Sequence, residues 1–318
     1  MRLLSFFAAA LLMAAPGLAQ VEAWKGEWPN TDFAKSSVNF AEILSGGPPR
    51  DGIPAVNDPK MVKAGSVKIP GQEPVMTVEL GGETRAYPIR YLMWHEIAND
   101  TVAGVPVAVT YCPLCNSGII FDRRLDGQVL TFGVSGKLRN SDMVMFDRET
   151  ESWWQQFTGE GIVGQKTGAK LTKLPGWMES LDEFKARNPD GLVMAEPDFR
   201  RRYGINPYRG YDGLSKPFLY NGEMPPHGIE PLARMIVVGN RAWPLERVRN
   251  ASSISEAGIT ISWTDGAVSA LDTGEIAKGK TVGSVRVQKD GKDIPHDVAF
   301  AFAFHAFHPS GDWMLGGS

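Results

Sequence analysis

The sequence predicts a mainly β (α+β) fold made of two related β-rich lobes with short helices. Three observations support this prediction. The 318 residues include 35 glycines and 22 prolines, which favour many turns between short strands. Apolar runs of strand length, such as residues 105–111 (VPVAVTY), recur along the chain. A weak internal repeat relates the two halves of the sequence.

The repeat is carried by residues 81–112 and residues 238–264. RAYPI at residues 85–89 matches RAWPL at residues 241–245, and each copy continues into a short helix and a β run. The turn TDG at residues 264–266 stands where the first copy has CPLC, so the second copy has no sulfur there. The comparison predicts that the same turn forms without cysteine, and that the cysteines are not required for folding.

Four segments are predicted in chain order. Residues 1–19 have the pattern of a Sec-type signal peptide, with a short apolar run and a cut after Ala19. Residues 20–60 form an extended N-terminal arm, residues 61–200 a first lobe, and residues 201–318 a second, cysteine-free lobe. No later stretch is long and apolar enough for an integral membrane segment. We therefore expect a periplasmic or secreted protein.

Local patterns predict the elements around the cysteines. WHEIAND (residues 94–100) reads as a short helix, residues 144–146 and 153–154 as strands, and residues 178–191 as an amphipathic helix. Residues 201–213 read as a linker loop. Phe300, Phe302 and Phe304 alternate as in a buried strand that ends at His308.

Composition and motifs exclude several classes of function. The formal net charge is −3 with no basic stripe, so no nucleic-acid partner is predicted. The sequence contains no G-x-S-x-G, H-E-x-x-H or phosphate-binding loop, so no nucleotide cofactor and no familiar hydrolase is predicted. The expected partner is an unknown periplasmic protein or a small ligand.

Cys112-Pro113-Leu114-Cys115 contains the only two cysteines of the chain. A thioredoxin-type pair begins a helix, whereas this pair follows a β run and precedes turn residues and a second β run. The pattern favours a hairpin knuckle in which Asn116 takes a positive φ. Two thiolates suit Cu(I) or Zn(II), so we predict a copper or zinc ion that needs one or two further ligands.

The further ligands are sought among five histidines. His95 lies just before the cysteine hairpin in sequence, and His308 lies at a predicted strand end. We predict these two as metal ligands together with the cysteines, whereas His227 and His296 lie in turns.

Other side chains are predicted around the ion. The members of this polar site, which orient a ligand or line the site, are Glu96, Asp100, Ser141 and Asp142. Met143 and Met145 alternate on one strand, which favours core packing, although thioethers also suit Cu(I).

The chain also resembles a known family at these residues. WHEIAND, GVPVAVTYCPLCNSGIIFDR, FGVSGKLRNSDMVMFDRETESWWQQ and FHP are similar, in order and spacing, to signature blocks of the bacterial "domain of unknown function 3179" family. The resemblance gives weight to a set of residues without naming a reaction: His95, Glu96, Cys112, Cys115, Asp142 and His308. The block FAFHAFHP has an extra histidine, His305, which leaves open which imidazole faces the site.

Three functions are compatible with the sequence. The first is an exported protein whose cysteine and histidine site binds copper or zinc for transfer or catalysis. The second is a thiol–disulfide oxidoreductase that uses Cys112 and Cys115. The third is a binding protein or hydrolase-like enzyme with a structural cysteine pair, which would use Ser141, Asp142, Asp147 and Glu151.

Overall fold

A computed structural model describes residues 16–316 of the chain. These residues form 38% strand and 15% helix, with five small sheets arranged in a ring like a five-bladed propeller. The prediction of a mainly β fold with short helices is therefore confirmed. Most of the predicted signal peptide, residues 1–15, lies outside the described residues. Within the described part of the chain, no helix has the length and apolar character needed to cross a membrane.

The helices are short and the strands numerous. The α-helices are α1 (Pro16–Lys25), α2 (Ile89–His95), α3 (Leu181–Arg187), α4 (Leu245–Ala251) and α5 (Ala301–Phe307). The first strands are β1 (Ile43–Ser45), β2 (Val56–Asn57), β3 (Met61–Lys63), β4 (Pro74–Leu80), β5 (Glu83–Pro88), β6 (Ile97–Val102), β7 (Val105–Cys112) and β8 (Ser117–Asp122). Next come β9 (Arg124–Leu125), β10 (Gln128–Val129), β11 (Phe132–Arg139), β12 (Asp142–Asp147), β13 (Trp153–Gln155), β14 (Glu160–Val163), β15 (Lys173–Leu174), β16 (Trp177–Ser180) and β17 (Leu192–Met194). The last are β18 (Arg234–Val238), β19 (Arg241–Pro244), β20 (Ser253–Glu256), β21 (Ile259–Thr264), β22 (Ser284–Lys289), β23 (Lys292–Asp293), β24 (Asp297–Phe300) and β25 (Asp312–Trp313).

Each of the five sheets contains four or five strands. The sheet orders are β1-β11-β12-β13-β14, β15-β8-β7-β6-β2, β16-β4-β5-β17-β3, β24-β18-β19-β25 and β20-β21-β22-β23. Most neighbouring strands are antiparallel, but β2 with β6, β17 with β5, and β25 with β19 are parallel. The cysteine hairpin β7–β8 lies in the middle of the second of these sheets.

The sequence repeat extends to the strand order. β16-β4-β5-β17 in one sheet has the same order and directions as β24-β18-β19-β25 in another. Helices α2 and α4 both begin after a proline and end at a residue with positive φ, Glu96 (58°) and Ser252 (59°). Asn188 after α3 and His308 after α5 also have nearly equal φ and ψ. These matches make an internal repeat plausible, while the boundaries of the two lobes stay a prediction.

The turn comparison made from the sequence is wrong in one respect. Thr264 ends β21, but the strand that pairs with it, β22, begins only at Ser284. A long connection over residues 265–283 therefore replaces the tight turn of the cysteine hairpin. Because the two connections differ, the second half does not show that the same turn folds without sulfur.

Of the three C-terminal phenylalanines that were predicted as a strand, Phe300 ends strand β24 and the other two lie on a helix. Phe302 and Phe304 belong to α5, Phe300 is its N-cap, and His308 follows the helix end. All three phenylalanines are fully buried. The first turn of α5, residues 301–304, is buried on all sides. A helical turn buried in this way is apolar all round and shows no helical period, so the alternation with alanine imitated a strand.

Two other predicted helices are shorter than expected. In WHEIAND only Trp94 and His95 are helical, because Glu96 adopts a left-handed conformation and the following residues pair with β7 as strand β6. Strand β16 takes up residues 177–180, and α3 starts at a capping box between Ser180 and Glu183. The strands predicted at residues 144–146 and 153–154 are confirmed as parts of β12 and β13.

The N-terminal segment is built into the ring. Strand β1 pairs with β11 at a sheet edge, and β2 pairs with β6. Trp28 is buried and packs edge-on against Phe146 and Trp153, at centroid distances of 4.9 and 5.3 Å. These contacts bury aromatic surface and so stabilise the packing of the N-terminal segment on the first sheet.

Candidate metal centre

The two cysteines lie at the tip of the β7–β8 hairpin. Cys112 pairs with Ser117 across the hairpin, and the Asn116 N–H donates to the Pro113 carbonyl (3.2 Å). Asn116 has a φ of 51°, as the sequence predicted for this turn. Both cysteines are free and buried. The hairpin knuckle thus places two thiols side by side inside the molecule.

The neighbouring β11–β12 turn brings a carboxyl group to the sulfurs. The carbonyl of Ser141 lies 3.9 Å from Cys112 Sγ and 3.5 Å from Cys115 Sγ. Ser141 has a φ of 61°, and the next residue, Asp142, begins β12. Asp142 Oδ2 accepts hydrogen bonds from Gln155 Nε2 (2.7 Å) and from the Phe157 N–H (2.9 Å). The other oxygen, Oδ1, is buried and has no hydrogen-bond partner among residues 16–316.

Cys112, Cys115 and Asp142 form one group of metal-ligand type. One ligand atom of each residue lies within 4.8 Å of the other two, and all three side chains are buried. Two sulfurs and one carboxylate oxygen at this spacing can share one ion, whose bonds to sulfur and oxygen are about 2.0–2.3 Å long. The buried Oδ1 has no N–H or O–H donor among the described residues, and the thiols near Asp142 are the donors whose protons an ion would replace.

Burial favours the protonated forms of the side chains in and near this group. Burial raises the pKa of Cys112 and of Cys115, and the carboxylate of Asp142 adds to the rise for both. Burial also raises the pKa of Asp142 to about 6. The pKa of Glu96 rises to about 8, first because it is buried and second because Asp142 is near. At neutral pH the thiols therefore keep their protons, which a bound cation would displace.

His95 does not join the group. Its Nδ1 lies 2.6 Å from the Pro54 carbonyl and its Nε2 lies 2.6 Å from the Tyr203 hydroxyl, so both ring nitrogens already have partners. The ring also packs against Phe199 with a centroid distance of 4.8 Å. Burial lowers the pKa of His95, which keeps the imidazole neutral. The structure thus gives His95 contacts that tie the chain around residue 54 to the chain around residue 203.

The other histidines lie elsewhere as well. His308 packs against Phe304 and Phe157, and it lines a cavity next to the second sheet. His305 lies 3.9 Å from the exposed Glu223 carboxylate. The sequence left open which of these two imidazoles faces the cysteines. In the described part of the chain, neither joins the group of two cysteines and one aspartate.

The remaining predicted polar residues have separate roles. Asp100 accepts hydrogen bonds from Arg85 Nη1 and the Tyr87 hydroxyl, both at 2.6 Å. Asp147 accepts from Trp154 Nε1 (2.8 Å), and Glu151 pairs with Arg50 (2.9 Å). These three carboxylates hold strands and loops together. Met143 and Met145 are buried in the core, as their alternation favoured.

A tyrosine-rich segment near the group was not predicted as part of the site. Burial raises the pKa of Tyr211, and the nearby thiols add to that rise. The Phe218 N–H donates to the Tyr211 hydroxyl (3.2 Å), and the Ser141 hydroxyl donates to the Phe218 carbonyl. The residues around 211–218 are thus fastened to the turn that carries Asp142. Their Tyr, Gly and Pro content indicated only a loop, because contacts across the fold leave no local pattern.

Comparison with known proteins identifies the chain at the level of a family. No curated protein and no solved structure matches it. One family model, described as "Protein of unknown function (DUF3179)", matches residues 50–311 and so covers the two cysteines, Asp142, Glu96 and most of the ring of sheets. The resemblance noted in the sequence is confirmed, and the chain belongs to this family.

Proposed function

We propose that this protein binds one zinc ion through Cys112, Cys115 and Asp142. The observation that carries the proposal is the convergence of the three ligand atoms within 4.8 Å, with Asp142 Oδ1 lacking any other partner among the described residues. This set keeps the two cysteines predicted from the sequence. It replaces the predicted histidines by a carboxylate that was first assigned to the surrounding polar site.

The donor set favours zinc over copper. Two thiolates alone suit both Cu(I) and Zn(II), but a carboxylate oxygen is a hard ligand that Cu(I) avoids and Zn(II) accepts. Charge also favours a dication. Two thiolates and one carboxylate carry three negative charges in a buried site beside Glu96, and Zn(II) offsets two of them.

Three protein ligands leave a fourth position on the ion for water or another molecule. Structural zinc sites normally use four protein ligands, whereas catalytic sites keep one position open. Burial and the nearby Asp142 raise the pKa of Glu96 to about 8, which makes Glu96 the candidate to exchange a proton with a molecule bound there. The site therefore supports transfer or catalysis more than a structural role.

A disulfide-exchange function is less well supported. The attacking thiol of such an enzyme needs a lowered pKa and access to its partner. Here burial and neighbouring carboxylates raise the pKa of both thiols, and both side chains are at most 1% exposed.

We also propose that residues 1–19 direct export and are removed. Protein recovered from the periplasm would then begin at Gln20.

The binding proposal is tested by titration of purified protein with Zn(II) and Co(II). We expect one ion per chain and, with Co(II), a thiolate-to-cobalt charge-transfer band in the near ultraviolet. The matched control is His95→Gln, which should give the same stoichiometry and band. Binding without a thiolate band, or a band lost in the His95 variant, would contradict the ligand assignment.

A further inference from the structure

A second site is suggested by a cavity that does not contain the cysteines. It has a volume of about 670 Å³ and lies between strands β8 and β15 and the end of α5. Its walls are mostly apolar, and Phe157 stacks against Phe307 at its side with a centroid distance of 5.0 Å and an interplanar angle of 19°. This size and composition are typical of a pocket for a small organic molecule.

Asp297 provides an unsatisfied acceptor in the wall of this cavity. It is 7% exposed, and its Oδ1 accepts a hydrogen bond from the Gly118 N–H (3.0 Å). Its Oδ2 is buried and has no hydrogen-bond partner among residues 16–316. A buried acceptor without a donor is destabilising, so this atom indicates a missing donor in the cavity.

Lys173 provides donors in the same wall. Its Nζ donates to the Phe157 carbonyl (2.7 Å), and an ammonium group has two further N–H bonds to offer. Burial lowers the pKa of Lys173, and the negative charge of Asp297 opposes this shift. The cavity thus presents a cationic donor close to an acceptor that lacks a partner.

The charges around the cavity cancel. Lys170 and Glu160 form a salt bridge of 2.9 Å at its rim, and Lys173 and Asp297 supply one charge of each sign inside it. Burial and the two lysines lower the pKa of His308 to about 4, so its imidazole is neutral at pH 7. A lining without net charge favours an uncharged ligand, since an ion would leave its own charge unpaired in a buried place.

We infer that this cavity binds a small, uncharged molecule with a flat apolar body and a carboxamide-like polar end. The N–H of that end donates to Asp297 Oδ2, and its carbonyl accepts from Lys173 Nζ. The flat body lies beside Phe157 and Phe307, where ring stacking adds to the apolar contact. This inference does not depend on the proposed zinc ion.

The test compares four probes that share one ring: benzamide, benzoate, benzylamine and toluene. Saturation-transfer NMR with metal-free protein in EDTA gives their relative affinities. We expect benzamide to bind about tenfold or more tightly than each of the others, because one hydrogen bond to a charged group contributes about 1.5–3 kcal/mol. Tighter binding of benzoate or benzylamine would overturn the assignment of an uncharged ligand.

Two variants locate the contact. Asp297→Asn can still accept from Gly118 through its oxygen, but it then turns N–H donors towards the ligand's N–H. It should weaken benzamide binding at least tenfold, and Lys173→Met should weaken it as well. The Cys112→Ser, Cys115→Ser protein serves as the control and should bind benzamide like the wild type. Unchanged benzamide affinity in folded Asp297→Asn and Lys173→Met proteins would overturn the inference.

Discussion

The backbone N–H of Phe157 donates a hydrogen bond of 2.9 Å to Asp142 Oδ2. The same residue presents its ring to the cavity that contains Asp297 and Lys173. One residue therefore contacts both the proposed zinc ligand and the proposed small-molecule site. Since Oδ2 is held by this bond and by Gln155, Oδ1 is the oxygen of Asp142 that remains available to an ion.

Replacement of both cysteines by serine should abolish zinc binding and leave the fold intact. The serine hydroxyls are poorer ligands than thiolates, but they can donate to the Ser141 carbonyl that now lies near both sulfurs. We expect the free energy of unfolding to fall by no more than about 1–3 kcal/mol per site, measured by urea unfolding in EDTA. A protein that cannot fold without zinc or the two sulfurs would contradict this expectation.

Asp142→Asn should weaken zinc binding at least ten- to a hundred-fold, because loss of even a supporting partner of a ligand has an effect of about that size. The asparagine oxygen can keep the hydrogen bond from Phe157, so the fold should be little changed. Competition with a chelator of known affinity measures the change. The matched control is Ser141→Ala, which keeps the backbone carbonyl near the sulfurs and should bind zinc nearly normally. Gln155→Glu would not serve, because it adds a charge beside Asp142.

His95→Gln should leave zinc affinity unchanged and lower stability by about 1–3 kcal/mol. The reason is that both ring nitrogens bond to other parts of the chain, Pro54 and Tyr203, in a buried place. Chelator competition and urea unfolding separate the two effects. A large loss of zinc affinity would instead restore His95 as a ligand.

The metal-free protein should become less stable as pH rises from about 5 to about 8. The folded protein keeps protons on Glu96 (pKa about 8) and Asp142 (pKa about 6), whereas the unfolded chain releases them near the ordinary pKa values of 4.5 and 3.8. In this window Glu96 and Asp142 therefore bind more protons in the folded state and lower the free energy of unfolding as pH rises. His308, whose pKa is lowered to about 4, opposes part of this change, and the net fall is on the order of 2–4 kcal/mol. Urea unfolding in EDTA over this pH range measures the slope.

A matched variant isolates the contribution of Glu96 to that slope. Glu96→Gln has the same shape and cannot ionise, so its unfolding free energy should depend much less on pH between about 5 and 8. Glu79→Gln, at an ion pair with Arg187 on the surface, should leave the slope as in the wild type. A Glu96→Gln protein whose slope equals that of the wild type would contradict the buried, protonated state of Glu96.

The parts of the site that sequence could predict are those with local signals. The hairpin knuckle follows from the two β runs around Cys112 and Cys115 and from the turn preference of Asn116. Glu96 and Asp142 were included among the polar residues, but their roles depend on distances between separate strands. His95 was chosen because it is near Cys112 in sequence, yet the left-handed Glu96 that ends α2 precedes a strand, and the imidazole bonds to Pro54 and Tyr203.

The fold shows the same limit. Turn residues and short apolar runs predicted a mainly β chain, and the RAYPI and RAWPL units predicted the matching strands β5 and β19. The ring of five sheets could not be predicted, because strand order depends on contacts such as β16 with β4, whose residues lie about a hundred positions apart. The start of α5 was misassigned because residues 301–304 are all buried, which removes the period that distinguishes a helix from a strand.

X-ray absorption spectroscopy at the zinc edge tests the central claim most directly. Protein loaded with one equivalent of Zn(II) should show two sulfur neighbours at about 2.3 Å and one or two oxygen neighbours at about 2.0–2.2 Å, without the outer-shell pattern of imidazole. Asp142→Asn should keep the two sulfur neighbours while losing affinity. A zinc ion without sulfur neighbours, or one bound by imidazole, would contradict a centre built from Cys112, Cys115 and Asp142.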